Sequence, residues 1–281
     1  MKILLRYDED HNLSTFRLFL NESEILTQLP EGRVIVLNKV HSTNQYIIDN
    51  IPYFKSGDAC VTEHQTQGRG RRGKIWVAPV GESICLSMYW KWNKILPTMI
   101  EFSLMISIVV AKILKNLGVS QIKIKWPNDL YVHEKKLAGI LIEIITRTDY
   151  ISHIIIGIGI NLSIRTDTTL NTKIGKNWIN LIDTGIVLDR NILVATLINV
   201  LRKKLKDFII FGFAPFIAYW KIFDYLYNKP ITLLVGDRTI CGTALGINMH
   251  GALIVDRISS VCCYSGNNIS VYASSLKYNF F

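Results

Sequence analysis

The pattern of hydrophobic and polar positions predicts an alternation of strands and helices along most of the chain. Apolar residues with a period of two predict strands within RVIVLNKV, GDACVTEHQ, ESICLSMYWKW, IKIKWPNDLYV, KLAGILIEIIT and HIIIGIGINLS. Longer apolar stretches predict helices at 98–118, 189–211 and about 215–225, and Ser42 is a candidate cap for a short helix that runs through Ile51. Because the strands are mostly joined by hairpins, we expect an antiparallel or mixed sheet with helices packed on it.

The pattern of hydrophobic and polar residues changes after the turn at Asn228-Lys229-Pro230. The following fifty or so residues read as short alternating strands with turns at Gly236, Gly246 and Gly251. This pattern predicts a second, small all-β domain. We therefore divide the α+β chain into a lead-in or remnant at 1–28, a main domain at 29–227 and a C-terminal domain at 228–281.

Composition and charge limit the functional classes without selecting one. With 281 residues and 49% hydrophobic content, the chain can bury a sizeable core. A formal net charge of +10 suggests anionic partners, but the lysines and arginines are scattered along the chain. Nucleic acid therefore stays open as a partner at this point.

The cysteines and the apolar runs indicate a cytoplasmic protein. Five cysteines, an odd number, show no C-x-x-C spacing and no paired histidines, and the N-terminus has no signal-peptide pattern. These features predict a reducing compartment and no structural zinc. The longest apolar run, from Met99 to Leu114, carries Glu101 and Lys112 and is shorter than a bilayer span, so no membrane segment is expected.

The stretch QGRGRRGKIW, at 67–76, contains the spacing G-x-G-x-x-G of dinucleotide-binding turns. The polar residues before it and the β-like residues and Pro79 after it do not supply the strand and helix that such a turn needs. Three glycines and three guanidinium groups instead suggest a mobile clamp for phosphate or carboxylate groups. A solvated basic loop and a segment that contacts RNA or DNA remain open on these residues alone.

Four further stretches narrow the interpretation of this loop. They are HSTN at 41–44, KWPNDLYV at 125–132, KKLAGILIE at 135–143 and GIGIN at 157–161. Together with the Arg/Gly loop, in this order and at these intervals, they resemble the bacterial-type biotin protein ligases. The resemblance runs from about Leu29 into the C-terminal domain.

The resemblance implies a fold and a two-step reaction. The expected fold is a catalytic domain like that of class II aminoacyl-tRNA synthetases, with a mixed or antiparallel sheet, followed by a small SH3-like β-barrel. Members of the family form biotinyl-5′-AMP from biotin and ATP with Mg²⁺. They then transfer biotin to one lysine of an acceptor, usually the biotin carboxyl carrier protein of acetyl-CoA carboxylase. The resemblance leaves a homodimer open.

The resemblance also assigns roles to individual residues. The expected catalytic residues are Lys136, Arg71 and Asp129, and Asp129 could orient the acceptor lysine or help to hold Mg²⁺. The expected biotin-binding residues are Ser42, Thr43, Asn44, Gln65, Arg69, Gly70, Arg71, Lys136, Gly139, Gly157 and Gly159. The expected residues for ATP or the adenylate are Arg72, Trp76, Lys125, Asn128 and Asn161.

Each assignment has a plainer structural interpretation. Without the resemblance, Lys136 would be interpreted as a solvated lysine in a turn, because lysine side chains are mostly exposed. Ser42 is an ordinary helix cap, the sequence PND at 127–129 is an ordinary turn, and Trp76 and Trp178 are more often core residues than covers for a ligand.

The chain departs from the family pattern in three places. Fewer than thirty residues precede the main domain, whereas family members that repress transcription carry a winged helix-turn-helix of about sixty. We therefore expect no specific DNA binding. The C-terminal stretch at 266–272 lacks the acidic residue and the arginine that the family often has there, which puts a contribution of this stretch to nucleotide binding in doubt. Ile75 stands where a basic residue is common in the family.

Two other functions compete with biotin ligation. A lipoate-type ligase or a tRNA-charging relative on the same architecture would activate a different acid. A non-catalytic nucleic-acid-binding protein would use the net charge and the Arg/Gly loop but leaves the GIGIN strand unexplained.

Overall fold

A computed structural model describes residues 19–93, 98–146, 151–164, 177–257, 260–266 and 269–273. Residues 1–18, most of the predicted lead-in, lie outside this set. The described remainder contains one short helix, α1 (Glu22–Leu26), whose first turn is capped by the side chain of Asn21. The Asn191 side chain donates a hydrogen bond to Glu24 at 2.7 Å, so α1 is attached to the main domain.

Seven strands form the central sheet. They are β1 (Val34–Leu37), β2 (Ala59–Thr62), β3 (Ser83–Trp92), β4 (Lys123–Lys125), β5 (Asp129–Val132), β6 (Lys135–Thr146) and β7 (Ser152–Asn161). Their order is β1-β2-β3-β7-β6-β5-β4, and β1 and β2 are parallel while the remaining neighbours are antiparallel. The predicted mixed sheet is confirmed. Pro127, which has no N–H to donate, falls in the turn that separates β4 from β5.

Four helices accompany the sheet. They are α2 (Thr43–Asp49), α3 (Met99–Asn116), α4 (Arg190–Phe211) and α5 (Ala214–Phe223), close to the predicted bounds. Thr98 and Glu101 form a capping box at the start of α3, and Gly118 follows its end with a φ of +106°. None of the helices in the described ranges combines the length and the apolarity needed to cross a membrane.

The two faces of the sheet differ, as β7 shows. Ile154, Ile156, Ile158 and Ile160 are buried in the main core together with residues of α3 and α4. Because side chains alternate along a strand, the residues between them point to the other face. There Ile155 packs in a smaller cluster with residues of α2, while Gly157, Gly159 and Asn161 border a cavity.

The C-terminal part forms a five-stranded antiparallel sheet. Its strands are β8 (Pro230–Val235), β9 (Arg238–Ile247), β10 (Leu253–Arg257), β11 (Ser260–Tyr264) and β12 (Ile269–Ala273), in the order β11-β10-β9-β8-β12. This sheet agrees with the small SH3-like unit that was predicted. The domain boundary at 227/228 itself stays a prediction.

The cysteines are free thiols. Burial raises the pKa of Cys60 and of Cys85 to about 12, so both thiols stay protonated near neutral pH. Cys85 borders the cavity, but a protonated thiol is a poor nucleophile.

Candidate active site

A cavity of about 800 Å³ lies on the face of the central sheet that carries α2. This volume is in the range of small-molecule sites. Every residue to which the sequence assigned a role in binding or catalysis lines this cavity, and so does Trp178. Five motifs that are dispersed over about 120 residues of the chain therefore meet in one place.

The N-terminus of α2 forms one end of the cavity. Ser42 caps the helix by accepting a hydrogen bond from the Gln45 amide. Thr43 donates its backbone N–H to the Gln65 side chain at 2.8 Å, and Ser87 Oγ lies 2.7 Å from Thr43 Oγ1. Ser42, Thr43 and Asn44 are buried, so this end of the cavity offers fixed hydroxyl and amide groups rather than mobile ones.

The two glycines of GIGIN leave room for other side chains. A Cβ atom on Gly157 would lie 2.5 Å from Asn44 Oδ1, and one on Gly159 would lie 2.4 Å from the Trp76 ring. Both distances are too short for a Cβ contact. The resemblance assigns both glycines to biotin binding, and the structure shows that they also make room for Asn44 and Trp76 at the cavity wall.

The Arg/Gly loop is a small hairpin over the cavity. Gly70 N donates to Lys74 O at 2.6 Å, and Trp76 N donates to Gly68 O at 2.9 Å. Residues 71–73 make a single 3₁₀ turn, after which Lys74 is extended, so no helix follows as a dinucleotide-binding turn would require.

Each arginine of the loop contacts a different element. Arg69 reaches α2 and β6, where its guanidinium contacts Gln45 and Glu143. Arg71 donates to Asn128 Oδ1, in the turn between β4 and β5, at 2.9 Å. Arg72 contacts Ser270 on β12. The loop thereby joins the central sheet to the C-terminal sheet across the mouth of the cavity.

Lys136 and Asp129 lie side by side in the cavity wall. Lys136 Nζ is 2.7 Å from Asp129 Oδ1, and each side chain is about one third exposed, at 31% and 30%. The ammonium group also lies 5.8 Å from the centre of the Trp76 ring. Lys136 is therefore a cavity residue and not a solvated turn lysine.

Positive charge dominates the cavity wall. Among the described lining residues the cationic side chains are Arg69, Arg71, Arg72, Lys74, Lys125 and Lys136, and the carboxylate is Asp129. Burial lowers the pKa of both Arg71 and Lys125, and the nearby Asp129 carboxylate opposes that shift. Charges that are partly removed from water interact more strongly with an anionic ligand than exposed charges do.

Several residues of the site were not predicted from the sequence. Ser270 and Tyr272 of β12 line the cavity, although the altered C-terminal strand had placed any contribution from this region in doubt. Tyr131 contacts both Lys125 and Tyr225, and burial raises its pKa. Glu143 contacts Arg69 and Asn44, and it could have been found because it shares the strand face of Gly139 on β6.

The described side chains of the site provide few ligands for Mg²⁺. Within the described ranges no three His, Cys, Asp or Glu side chains cluster as metal ligands. Asp129, the expected ligand, is paired with Lys136. Mg²⁺ commonly binds through one or two carboxylates together with substrate phosphates. A metal role for Asp129 stays a prediction.

Comparison with known proteins gives a consistent result. Residues 36–161 match the Biotin/lipoate A/B protein ligase family. The bifunctional ligase/repressor BirA of Escherichia coli is 42% identical over 252 residues, which are 90% of this chain and 78% of that protein. The biotin–[acetyl-CoA-carboxylase] ligase of Paracoccus denitrificans is 26% identical over 78% of this chain and 92% of its own length.

A solved structure supports the same relationship. The biotin protein ligase of Aquifex aeolicus, in complex with biotin and ATP, superimposes with a TM-score of 0.75 at 25% identity and covers 86% of this chain and 99% of its own. The level of identity to BirA, the matched family region and this superposition agree with the five motifs. The chain belongs to the biotin protein ligases of the Biotin/lipoate A/B protein ligase family.

Proposed function

We propose that this protein is an ATP-dependent ligase that forms biotinyl-5′-AMP and transfers its biotinyl group to a lysine of an acceptor protein. The observation that carries the proposal is the position of Lys136, which lies beside Asp129 in a cavity with six cationic side chains. The family to which the chain belongs favours biotin over lipoate or nucleic acid as the ligand, because the Paracoccus denitrificans relative and the Aquifex aeolicus structure are named for biotin.

The first step joins two anions. The biotin carboxylate attacks the α-phosphorus of ATP, a new C–O–P bond forms, and pyrophosphate leaves with the electrons of the broken P–O bond. Lys136 and Arg71 supply positive charge where the carboxylate and the α-phosphate meet, and Arg72 and Lys125 are placed for the phosphates. Such fixed charges stabilise a transition state in which negative charge accumulates between the reactants.

The Arg/Gly loop protects the product of this step. Biotinyl-AMP is a mixed anhydride that water would hydrolyse. The loop covers the cavity through the contacts of Arg69, Arg71 and Arg72 with three separate elements. A covered site excludes water from the anhydride until the acceptor arrives.

The second step is acyl transfer to an amine. A neutral lysine amine of the acceptor attacks the biotinyl carbonyl and an amide bond forms. The attacking nitrogen releases one proton to solvent, and AMP leaves with the electrons of the broken C–O bond. Asp129 is suited to accept a hydrogen bond from that amine, since its carboxylate reaches the cavity beside Lys136. The acceptor that we propose is the biotin carboxyl carrier protein of acetyl-CoA carboxylase, in the cytoplasm.

Two measurements test the proposal. Biotin-dependent exchange of pyrophosphate into ATP reports the first step, and a biotin-sized mass increase on one lysine of a carrier domain reports the second. Lipoate in place of biotin separates the related ligase, and salt-dependent RNA or DNA binding without exchange would favour the non-catalytic alternative. Folded protein that shows no biotin-dependent exchange would contradict the proposed function.

A further inference from the structure

Glu143 lies at the end of the KKLAGILIE stretch and has no role in the reaction described above. Because side chains alternate along β6, Glu143 shares the cavity face of the sheet with Gly139 and Leu141. Its carboxylate is 3.0 and 2.9 Å from Arg69 Nη2 through its two oxygens, and Oε2 is also 2.8 Å from Asn44 Nδ2. One side chain of the sheet thus contacts both the loop and α2.

The contact with Arg69 anchors the Arg/Gly loop. The same guanidinium donates to Gln45 Oε1 at 2.9 Å, so Arg69 is held between β6 and α2. The side chains of Arg69 and Glu143 are 40% and 27% exposed, and this charge-assisted contact is therefore only partly screened by solvent. The side chain of Arg69 thus holds the loop in place, and the backbone of the loop lies over the cavity.

The contact with Asn44 fixes the orientation of a buried amide. An ionised carboxylate only accepts hydrogen bonds, so the amide nitrogen of Asn44 must face Glu143. The amide oxygen then faces Ser87 Oγ, at 2.5 Å, and the space above Gly157. The cavity is thereby given a hydrogen-bond acceptor at this end, and the ureido ring of biotin carries two N–H donors that need acceptors.

We infer that Glu143 is a positioning residue for biotin, which holds Arg69 so that the loop covers the ring end of the cavity and orients the Asn44 amide oxygen toward the ligand. The inference rests on the proposed function for the identity of the ligand. The contacts that carry it belong to the protein alone, so part of the test needs no ligand.

The functional test uses Glu143→Gln, which keeps the shape of the side chain but removes its charge and introduces an amide donor. We expect the biotin KM in pyrophosphate exchange to rise about tenfold, while the KM for ATP stays within about twofold. Glu143→Asp keeps the acceptor and should recover part of the biotin affinity. Glu31→Gln, which removes an exposed partner of Lys206, is the matched control and should leave both constants unchanged.

A double-mutant cycle separates positioning from general damage. Arg69→Gln breaks the same contact from the loop side and does not depend on the folding of a Glu143 variant. If the pair acts as a unit, the double variant will bind biotin about as weakly as the more affected single variant. If the two substitutions weaken biotin affinity by independent factors that multiply in the double variant, the inference is wrong. It is also wrong if Glu143→Gln raises the KM values for biotin and ATP equally.

Hydrogen exchange in the protein without ligand provides the independent test. Amides across Gly68 to Trp76 should exchange faster in Glu143→Gln than in the unaltered protein and in Glu31→Gln. Equal exchange in all three proteins would overturn the inference, even if biotin-dependent activity is present. Absence of biotin-dependent activity in the unaltered protein would instead contradict the proposed function and leave the exchange result to decide about Glu143.

Discussion

The two faces of the central sheet carry different kinds of side chains on the same strands. On β7, Ile156 and Ile158 are at most 2% exposed and pack in the main core, whereas Gly157 and Gly159 point into the cavity. The face that packs against α3 and α4 is therefore apolar and closely packed. The cavity face carries glycines, amides and charged groups that are held by hydrogen bonds.

This difference separates stability from chemistry within a single strand. A residue on the core face loses apolar contacts when it is shortened, and the loss appears in the free energy of unfolding. A residue on the cavity face has few such contacts, so its replacement should appear mainly in binding or in rate. The following substitutions test this separation, from the largest expected effect to the smallest.

Ile156→Ala should lower the free energy of unfolding by about 2–5 kcal/mol, because it leaves a void in the main core. Urea denaturation measures the change. The biotin KM of the fraction that remains folded should be unchanged. Ile210→Ala is the control, because Ile210 is 70% exposed and its loss should change stability by less than about 0.5 kcal/mol. An equal effect of the two substitutions would contradict the assignment of the core face.

Lys136→Ala should raise the barrier to adenylation by about 2–4 kcal/mol, since it removes a positive charge from the place where two anions meet. The rate of biotin-dependent pyrophosphate exchange measures the effect. Stability should change by less than about 1 kcal/mol, because the pair with Asp129 is about one third exposed.

The neighbouring Lys135 offers a matched control for this charge. It is exposed, so Lys135→Ala should leave the exchange rate unchanged. A near-normal rate in Lys136→Ala would remove Lys136 from the reaction.

Gly159→Ala should weaken adenylate binding by about 1–3 kcal/mol, because the new methyl group would lie 2.4 Å from the Trp76 ring and must displace it. Titration with a non-hydrolysable biotinyl-adenylate analogue measures the affinity. In a Trp76→Ala background the ring is gone, and the glycine substitution should then have little further effect. Full additivity of the two substitutions would show that Gly159 serves another purpose.

The smallest expected effect concerns Lys125 and pH. Burial lowers the pKa of Lys125 below its ordinary value of 10.5, so this lysine loses its proton before exposed lysines do as the pH rises. The KM for ATP should increase by about fivefold through that alkaline transition, equivalent to about 1 kcal/mol for one partly screened charge. Lys125→Arg should remove the transition, and a transition that persists in this variant would assign it to another group.

Much of the fold could be predicted from the sequence because local patterns determine it. The period of two in HIIIGIGINLS defines β7, and Thr98, Glu101 and Gly118 mark the ends of α3 through capping. The residues of the site were predicted because five short motifs occur in series. The role of each residue came from the resemblance of these motifs to a known family and not from any single motif.

The contacts between distant segments could not be predicted in this way. The position of the Arg/Gly loop relative to β6, β7 and β12 determines three contacts. They are those of Arg69 with Glu143, of Arg72 with Ser270 and of Trp76 with Gly159. No local sequence pattern indicates which residue an arginine contacts, because the contact depends on distances between segments that are far apart in the chain. The sequence by itself thus determined the elements, the family and the residues of the cavity, whereas only the tertiary structure decided which of those residues hold one another in place.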